Sequence, residues 1–348
     1  MNWLLELLNS GVHRKPIWRF SLILMLLGCV AQAQNDEAGT TSNAALKIGI
    51  GARAAAMGGA FVAVADDVNT IYWNPSGLGQ LEGPQFSAMH AEWLADVRYE
   101  WIGFAQAFGP WVALGADVAL VHTGDIARTI ESDTGGFAQV GTFSYSNVIT
   151  RLAVASRKSY RGIRFGLAFQ IDQQMVNFGG TTLPEKRVRG GSVNLGVIYD
   201  SPVENLKVGA SLHNIGGDMP AFFTESTSLP QLFRLGGAYT VHFQPRVAPE
   251  AEGEELTLEQ LSSRDRLLFA LDFNFPSDAS PDARLGVEYL LHTGLAFRGG
   301  YNSRSAFDFF THLSGGLGYS SNTYQVDYAF APFGDLGTTH RVSFTLNF

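Results

Sequence analysis

Large apolar side chains recur at every second position from about residue 84 to the C-terminus. Residues 163–171 read IRFGLAFQI and residues 341–348 read RVSFTLNF, so apolar residues alternate with small, polar or charged ones. Because successive side chains of a β-strand point to opposite faces, this period predicts strands with one large apolar face and one small or polar face. The alternation therefore predicts an all-β fold.

Two all-β architectures would use these strands differently. In a soluble β-sandwich the apolar face packs against a second sheet, whereas in an outer-membrane barrel it contacts lipid and the polar face lines the lumen. The segments are about nine to fifteen residues long, as a tilted membrane strand requires, whereas soluble strands average about five or six. We therefore predict a transmembrane antiparallel β-barrel over residues 84–348. The fourteen predicted strands cover residues 84–95, 98–109, 111–124, 143–158, 162–178, 189–200, 206–215, 231–243, 265–275, 282–291, 294–303, 311–320, 323–330 and 339–348.

The first 33 residues have the pattern of a secretory signal peptide. Basic residues at positions 14, 15 and 19 precede the apolar run 20–30, and a small-x-small motif ends at Ala33. The apolar run is too short for a transmembrane helix, which needs about 18 residues. We expect cleavage after Ala33 and delivery to the outer membrane of a Gram-negative-type cell. Residues 26–29 (LLGC) also resemble a lipobox, so lipidation of Cys29 stays an open alternative.

Composition agrees with a chain that has little surface in water. Charged residues form 16% of the sequence, against about 25% in ordinary soluble domains. The formal net charge of −8 argues against a nucleic-acid partner that is bound by neutralising phosphates. The single cysteine excludes a disulfide scaffold.

The connections between the predicted strands alternate between short and long. If the N-terminus lies in the periplasm, the periplasmic turns are short and the outer loops are mostly longer, as in known outer-membrane barrels. The exception is the acidic segment 244–264, which is either a solvated linker or a docking site for a periplasmic partner. The outer loops have at most about eighteen residues, longer than the few-residue loops of most domains but still little surface for a large cargo protein.

Aromatic residues mark the ends of several predicted strands. Trp93, Trp101 and Trp111 fall near strand ends, where an interfacial girdle of aromatic side chains is expected. The chain ends in an aromatic residue preceded by apolar residues at every second position, the form that the barrel-insertion machinery reads. The predicted insertion signal is Val342, Phe344, Leu346 and Phe348.

The segment that precedes the strands has a different composition. Residues 44–80 are rich in alanine and glycine, and the stretch 54–65 is small and apolar around Gly58-Gly59. Small residues allow close backbone approach, so we predict that residues 34–83 form a hatch packed inside the barrel. A dinucleotide-binding loop at Gly49-x-Gly51 is excluded, because the third glycine of that motif is absent and no strand precedes it.

Both ends of the chain resemble a known family. Residues 51–62 (GARAAAMGGAFV) and 73–78 (WNPSGL) resemble the start of the PorV/PorQ family, and residues 327–341 resemble its end. That family is similar to the FadL fatty-acid transporters, which implies a fourteen-stranded barrel with an N-terminal hatch and an Asn-Pro-Ala-Gly-like turn. Here the turn is residues 74–77, with serine in place of alanine. The resemblance implies handling of cargo in type IX protein secretion, with passage of hydrophobic small molecules as the alternative.

Charged and turn-forming residues give two groups of candidate site residues. The paired aspartates at 66 and 67 fit a capped turn, a partnership with Arg53 or a cation site. The charges on lumen-facing positions fit either a structural ladder or a path for a polar ligand. The candidate hatch or gate residues are Arg53, Gly58, Gly59, Asp66, Asp67, Asn74, Pro75 and Gly77. The candidate lumen charge ladder is Asp172, Glu288, Arg298, Asp327 and Arg341.

The sequence carries no catalytic or metal motif. The eight histidines have no ligand spacing, and neither HExxH nor G-x-S-x-G occurs. We therefore predict a protein that is not an enzyme and has no cofactor. Its expected partners are outer-membrane lipid, the barrel-insertion machinery, and either type IX secretion components with their cargo or hydrophobic small molecules. An exported, soluble β-rich binding protein is the alternative of another class.

Overall fold

The computed structural model of the protein describes residues 40–131, 135–179, 184–220, 222, 226–243, 265–303 and 309–348. The predicted signal peptide, Cys29 and the acidic segment 244–264 lie outside the described residues.

Fourteen antiparallel strands form a closed barrel. Each strand pairs with its neighbour in the chain, except that β3 pairs with β5, and the ring closes where β1 pairs with β15. This confirms the predicted all-β antiparallel barrel, and a strand lies in each of the fourteen predicted segments. The strands, including one extra strand β4, are β1 Gln85–Glu92, β2 Arg98–Phe108, β3 Val112–His122, β4 Ile126–Glu131, β5 Phe137–Ser156, β6 Ile163–Asn177, β7 Lys186–Asp200, β8 Leu206–Gly216, β9 Leu232–His242, β10 Arg266–Pro276, β11 Asp282–Leu290, β12 Leu295–Asn302, β13 Leu313–Ser320, β14 Tyr324–Pro332 and β15 Thr338–Asn347.

The extra strand corrects one prediction, since the loop expected at 125–142 contains β4 and the start of β5. β4 pairs with β5 alone, and β5 pairs with β3 only from Ser146 onward. The β4–β5 hairpin therefore projects beyond the ring, with the Phe137 side chain 83% exposed. Sequence alternation missed it because both faces of the hairpin are in solvent, so neither face has to be apolar.

The two faces of the barrel wall follow the predicted alternation. On β6, Phe165 and Phe169 are exposed on the outside, whereas Gln170 and Asp172 are buried on the inside. The prediction that Trp101 belongs to the aromatic girdle was wrong, because this residue pairs with Met89 on the lumen face and its side chain is buried. Trp111 does lie on the outside, with Lys158 Nζ 4.6 Å from the ring centroid.

The segment before β1, residues 44–81, folds into short helices that lie within the ring of strands. Its two α-helices pack on opposite sides of the lumen, α1 against β12–β15 and α2 against β3 and β5. No helix among the described residues is both long and apolar enough to cross a membrane. The helices of this segment are the 3-10 helix Ala44–Lys47, α1 Ala52–Ala56, α2 Thr70–Trp73 and the 3-10 helix Pro75–Gln80. Three further 3-10 helices lie between strands, at Leu94–Asp96, Phe309–His312 and Gly334–Leu336.

Glycines on the inner wall let the backbone of this segment come close. A Cβ at Gly166 would lie 2.1 Å from the backbone nitrogen of Ser76, and one at Gly300 would lie 2.0 Å from that of Gly58. Both distances are far shorter than any real Cβ contact, so only glycine fits at these wall positions. The glycines of the wall therefore lie where the backbone of the segment comes closest.

The last strand closes the barrel and carries the predicted insertion signal. Val342 and Phe344 point outward from β15, Leu346 is half-buried and Phe348 is exposed. Their placement is that of ordinary outward-facing residues, and their role in insertion stays a prediction.

Candidate functional site

The inside of the barrel is held together by an ion-pair cluster centred on Glu288 of β11. Arg53 of α1 donates to both carboxylate oxygens of Glu288, with Nε to Oε2 at 2.7 Å and Nη2 to Oε1 at 2.9 Å. The same guanidinium reaches the carboxylates of Asp66 at 2.5 Å and Asp67 at 3.4 Å. The paired aspartates thus meet Arg53, and no bound cation is needed to account for them.

The ion-pair cluster continues along the wall. Arg298 of β12 donates from Nε to Glu288 at 2.7 Å and from Nη1 to Asp327 of β14 at 2.8 Å. Arg266 of β10 donates to Glu288 at 3.2 Å. One buried carboxylate therefore serves three arginines, one on the N-terminal segment and two on the wall. Neighbouring strands bring these groups together because each faces the lumen at a similar level.

The two other members of the predicted ladder lie apart from this cluster. Asp172 of β6 accepts hydrogen bonds from Gln170 at 3.2 and 3.3 Å, close to a separate pair in which Arg151 binds Asp117 at 3.1 Å. Arg341 donates to the Gly49 carbonyl, and its guanidinium lies 5.0 Å from the Trp93 ring centroid. The predicted ladder is therefore one cluster with two separate charges.

The Asn74-Pro75-Ser76-Gly77 turn is fixed from several directions. Asn74 Nδ2 donates to the carbonyls of Val62 at 2.8 Å and Val197 at 3.1 Å, and its Oδ1 accepts from the Ser76 hydroxyl at 2.7 Å. Pro75 begins the helix that follows, where its missing N–H costs nothing. At Gly77 a Cβ would lie 2.1 Å from the Ala65 carbonyl, so glycine is required.

The Gly58-Gly59 pair lets the segment turn where it meets the wall. Both residues have positive φ, +67° and +77°, and the Gly58 amide donates to Ser314 Oγ at 3.0 Å. Farther on, Asp272 of β10 accepts hydrogen bonds from the backbone amides of Phe61 and Val62 at 2.7 and 2.9 Å. The wall therefore supplies partners for backbone groups that would otherwise be buried without one.

A second cluster, which the sequence analysis missed, joins α2 to the opposite wall. We call it the aromatic–arginine cluster and define it as Tyr72, Trp73, Arg151 and Arg234. The Arg234 guanidinium lies 5.1 Å from the Tyr72 centroid and 4.7 Å from that of Trp73, and Arg151 lies 5.3 Å from the Tyr72 ring. The sequence did contain a signal for this cluster, because Arg151 and Arg234 both fall on lumen-facing positions of strongly alternating strands.

Beside the aromatic–arginine cluster a small cavity remains, with room for about one water molecule. No group of three or more His, Cys, Asp or Glu side chains in the described ranges could hold a metal ion.

Comparison with known proteins gives a family and a fold. The model of the family described as "Uncharacterised protein family (UPF0164)" matches residues 27–229. No curated protein matches the sequence. The structure is similar to that of the Ralstonia pickettii toluene transporter TbuX, at 15% identity and a TM-score of 0.56, covering 86% of this chain and 98% of the transporter.

Two further solved structures show the same fold. The Pseudomonas putida toluene transporter TodX is 12% identical with a TM-score of 0.53, and covers 86% of this chain and 98% of its own. A structure described as the CymD monoaromatic hydrocarbon channel is 14% identical with a TM-score of 0.57, and covers the same shares. At these identities the likeness concerns the fold.

Proposed function

This chain belongs to the uncharacterised protein family UPF0164, and we propose that it is an outer-membrane channel for hydrophobic small molecules. The observation that carries the proposal is the N-terminal segment, which fills a closed barrel of the same fold as two toluene transporters. This is the FadL-like alternative of the sequence analysis, and it takes precedence over the secretion role.

The two faces of the wall support a membrane location. Large apolar side chains cover the outside, as on Phe165, Leu317 and Phe344, and the charged side chains of the lumen are paired inside. A soluble protein would leave that apolar exterior in water, where contiguous patches of this size are rare. We propose that it contacts outer-membrane lipid after signal-peptide cleavage near Ala33, residues 34–83 forming the hatch and residues 84–348 the barrel.

The apolar side chains of the segment suit an apolar substrate. Phe61, Val62 and Ile71 are buried inside the barrel, and an apolar molecule gains by entering a site lined by such side chains, whereas ions and sugars need a hydrated path. Arg53, Gly58, Gly59 and the turn at 74–77 are the points at which the segment is held, and they are the proposed gate. Opening requires some of these contacts to break while the barrel stays closed.

The test is uptake with the segment locked. Ala56 of α1 and Ala329 of β14 pack in one apolar cluster, so the double variant Ala56→Cys/Ala329→Cys is designed to form a disulfide between segment and wall. In a Gram-negative host without its own FadL-type channel, the wild-type protein should raise uptake of toluene. The oxidised variant should not, and reduction should restore uptake, so the same protein is its own control.

Two outcomes would contradict the proposal. One is toluene uptake equal to that of the empty host. The other is recovery of the protein in the soluble periplasmic fraction, which would favour the exported binding protein.

The type IX secretion role has one observation in its favour. The β4–β5 hairpin projects beyond the barrel with Ile126, Ile130 and Phe137 exposed, which gives a cargo protein more surface than the loop lengths alone predicted. Deleting residues 126–143 should abolish delivery of cargo proteins to the cell surface if this role is correct. Toluene uptake should survive the same deletion, because the hairpin lies outside the ring.

A further inference from the structure

Arg234 of β9 is a buried cation with unused hydrogen-bond donors. Its residue exposure is 2%, and its Nε and Nη1 atoms have no hydrogen-bond partner among the described residues. Only Nη2 donates, to the Tyr72 hydroxyl at 3.2 Å. A guanidinium has five N–H donors and no means of losing its charge, so leaving several unmet inside a protein is costly.

Among the described residues, no carboxylate contacts this guanidinium directly. The nearby Asp272 accepts the backbone amides of Phe61 and Val62 through Oδ2 alone, and no hydrogen bond joins its Oδ1 to Arg234. The π-faces of Tyr72 and Trp73 offer partial compensation only, since a cation–π contact is weaker than a charge-assisted hydrogen bond. Arg234 therefore differs from Arg53, Arg151 and Arg298, each of which binds a carboxylate.

The small cavity beside the aromatic–arginine cluster has a mixed lining, in which polar side chains meet the apolar Leu46 and Leu232. Arg151 and Arg234 contribute guanidinium groups, and Gln170, Asn194 and Asn214 contribute amides. None of its lining residues in the described part of the chain is acidic. The space admits about one water molecule. Arg151 is paired with Asp117 and the Gln170 amide donates to Asp172, so the unmet positive charge at this cavity is that of Arg234.

We propose that this cavity is a binding site for one small monovalent inorganic anion of the size of chloride, held by Arg234. The anion would accept hydrogen bonds from Nε and Nη1 of Arg234 and would lie between α2 of the N-terminal segment and the wall. It would therefore strengthen the attachment of the segment on this side of the lumen. The proposal does not depend on what the channel transports.

A buried water molecule is the competing occupant, and halide exchange separates the two. The purified wild-type protein is unfolded thermally in sodium gluconate, chloride or bromide at equal ionic strength. Gluconate is too large for the cavity and serves as the control for screening. We expect the unfolding temperature to rise saturably by several degrees with either halide and to stay constant in gluconate.

Bromide also gives a direct view of the site. Crystals grown in bromide should show anomalous density in the cavity within hydrogen-bond distance of Arg234 Nε and Nη1. Density without an anomalous signal, together with equal unfolding temperatures in the three salts, would identify a water molecule and overturn the proposal.

A pair of variants assigns the effect to this arginine. Arg234→Met should remove both the halide dependence and the bromide density. Arg341→Met is the matched control, since Arg341 is also buried against an aromatic ring without a carboxylate in contact, but it lies outside the cavity. It should keep the full halide dependence. If Arg234→Met fails to fold, the wild-type bromide experiment still decides.

Discussion

The two clusters that hold the N-terminal segment are built on different principles. In the ion-pair cluster, charges of α1 and the wall cancel around Glu288, and every arginine has a carboxylate. In the aromatic–arginine cluster, rings and guanidinium planes of α2 and the wall are stacked, and Arg234 lacks a carboxylate partner. The ion-pair cluster therefore attaches the segment through one central charge, whereas the aromatic–arginine cluster attaches it through several weaker contacts.

Removing the central charge should have the largest effect. Glu288→Gln removes the negative charge shared by Arg53, Arg298 and Arg266 and replaces one acceptor oxygen with an NH2 donor, and breaking a buried ion pair by removing one partner costs about 3–5 kcal/mol. We expect the free energy of unfolding to fall by that amount, measured by chemical unfolding of the purified barrel.

The control for this variant is Glu100→Gln. Glu100 also contacts a basic side chain, His90 at 2.8 Å, but on the exposed outer face. Exposed pairs contribute about 0–1 kcal/mol, so this variant should be nearly neutral. Equal losses in the two variants would show that Glu288 is not the centre of the attachment.

Filling the close contact at the turn should have the next largest effect. Gly166→Ala places a methyl group against the backbone of Ser76, and crowding of this kind costs about 1–3 kcal/mol. Gly299→Ala is the matched control on another strand, because its Cβ would meet no atom within 4 Å. Proteolysis of the N-terminal segment should increase in the first variant only, and cleavage in both would mean that the effect is one of strand propensity.

A small change in the aromatic–arginine cluster should be tolerated better. Tyr72→Phe keeps the ring and removes the hydroxyl, which donates to the Leu46 carbonyl and accepts from Arg234, each at 3.2 Å. We expect a loss of about 1 kcal/mol in the free energy of unfolding. A loss as large as that of Glu288→Gln would remove the contrast between the clusters.

The smallest effect is expected outside both clusters, at Asp265 in the connection before β10. Hydrogen bonds from the His292 amide and ring and from the Tyr289 hydroxyl lower the pKa of Asp265 to about 2. A lowered pKa stabilises the folded state above the ordinary value of about 3.9, and this contribution is lost as the pH falls through 2. The unfolding temperatures of wild type and Asp265→Asn should therefore differ at pH 5 and converge towards pH 2. A constant difference would contradict this.

The alternation of side chains made the barrel predictable, because a period of two assigns each residue to a face before any partner is known. It placed Asp172, Glu288, Arg298, Asp327 and Arg341 in the lumen, where the structure has them. The prediction for Trp101 failed because it followed the residue's nearness to a strand end, whereas the residue's parity with the buried Ala105 pointed inward. Parity was the better guide there.

The contacts between segment and wall could not be predicted. Arg53 and Glu288 are 235 positions apart, and their meeting depends on where the segment enters the ring and how far the strands are staggered. The wall glycines illustrate the same limit. The segment's backbone lies so close to Gly166 and Gly300 that only glycine fits there, whereas Gly299 has open space beside it. All three look alike in the sequence.

The closure of β1 on β15 has a consequence for assembly. The segment is synthesised before every strand, yet α1 rests on β13, β14 and β15, which are synthesised last. The surface against which α1 packs does not form until the C-terminal strands are in the barrel. Residues 44–81 therefore cannot take up their final position until these C-terminal strands are in place, although the ribosome makes them first.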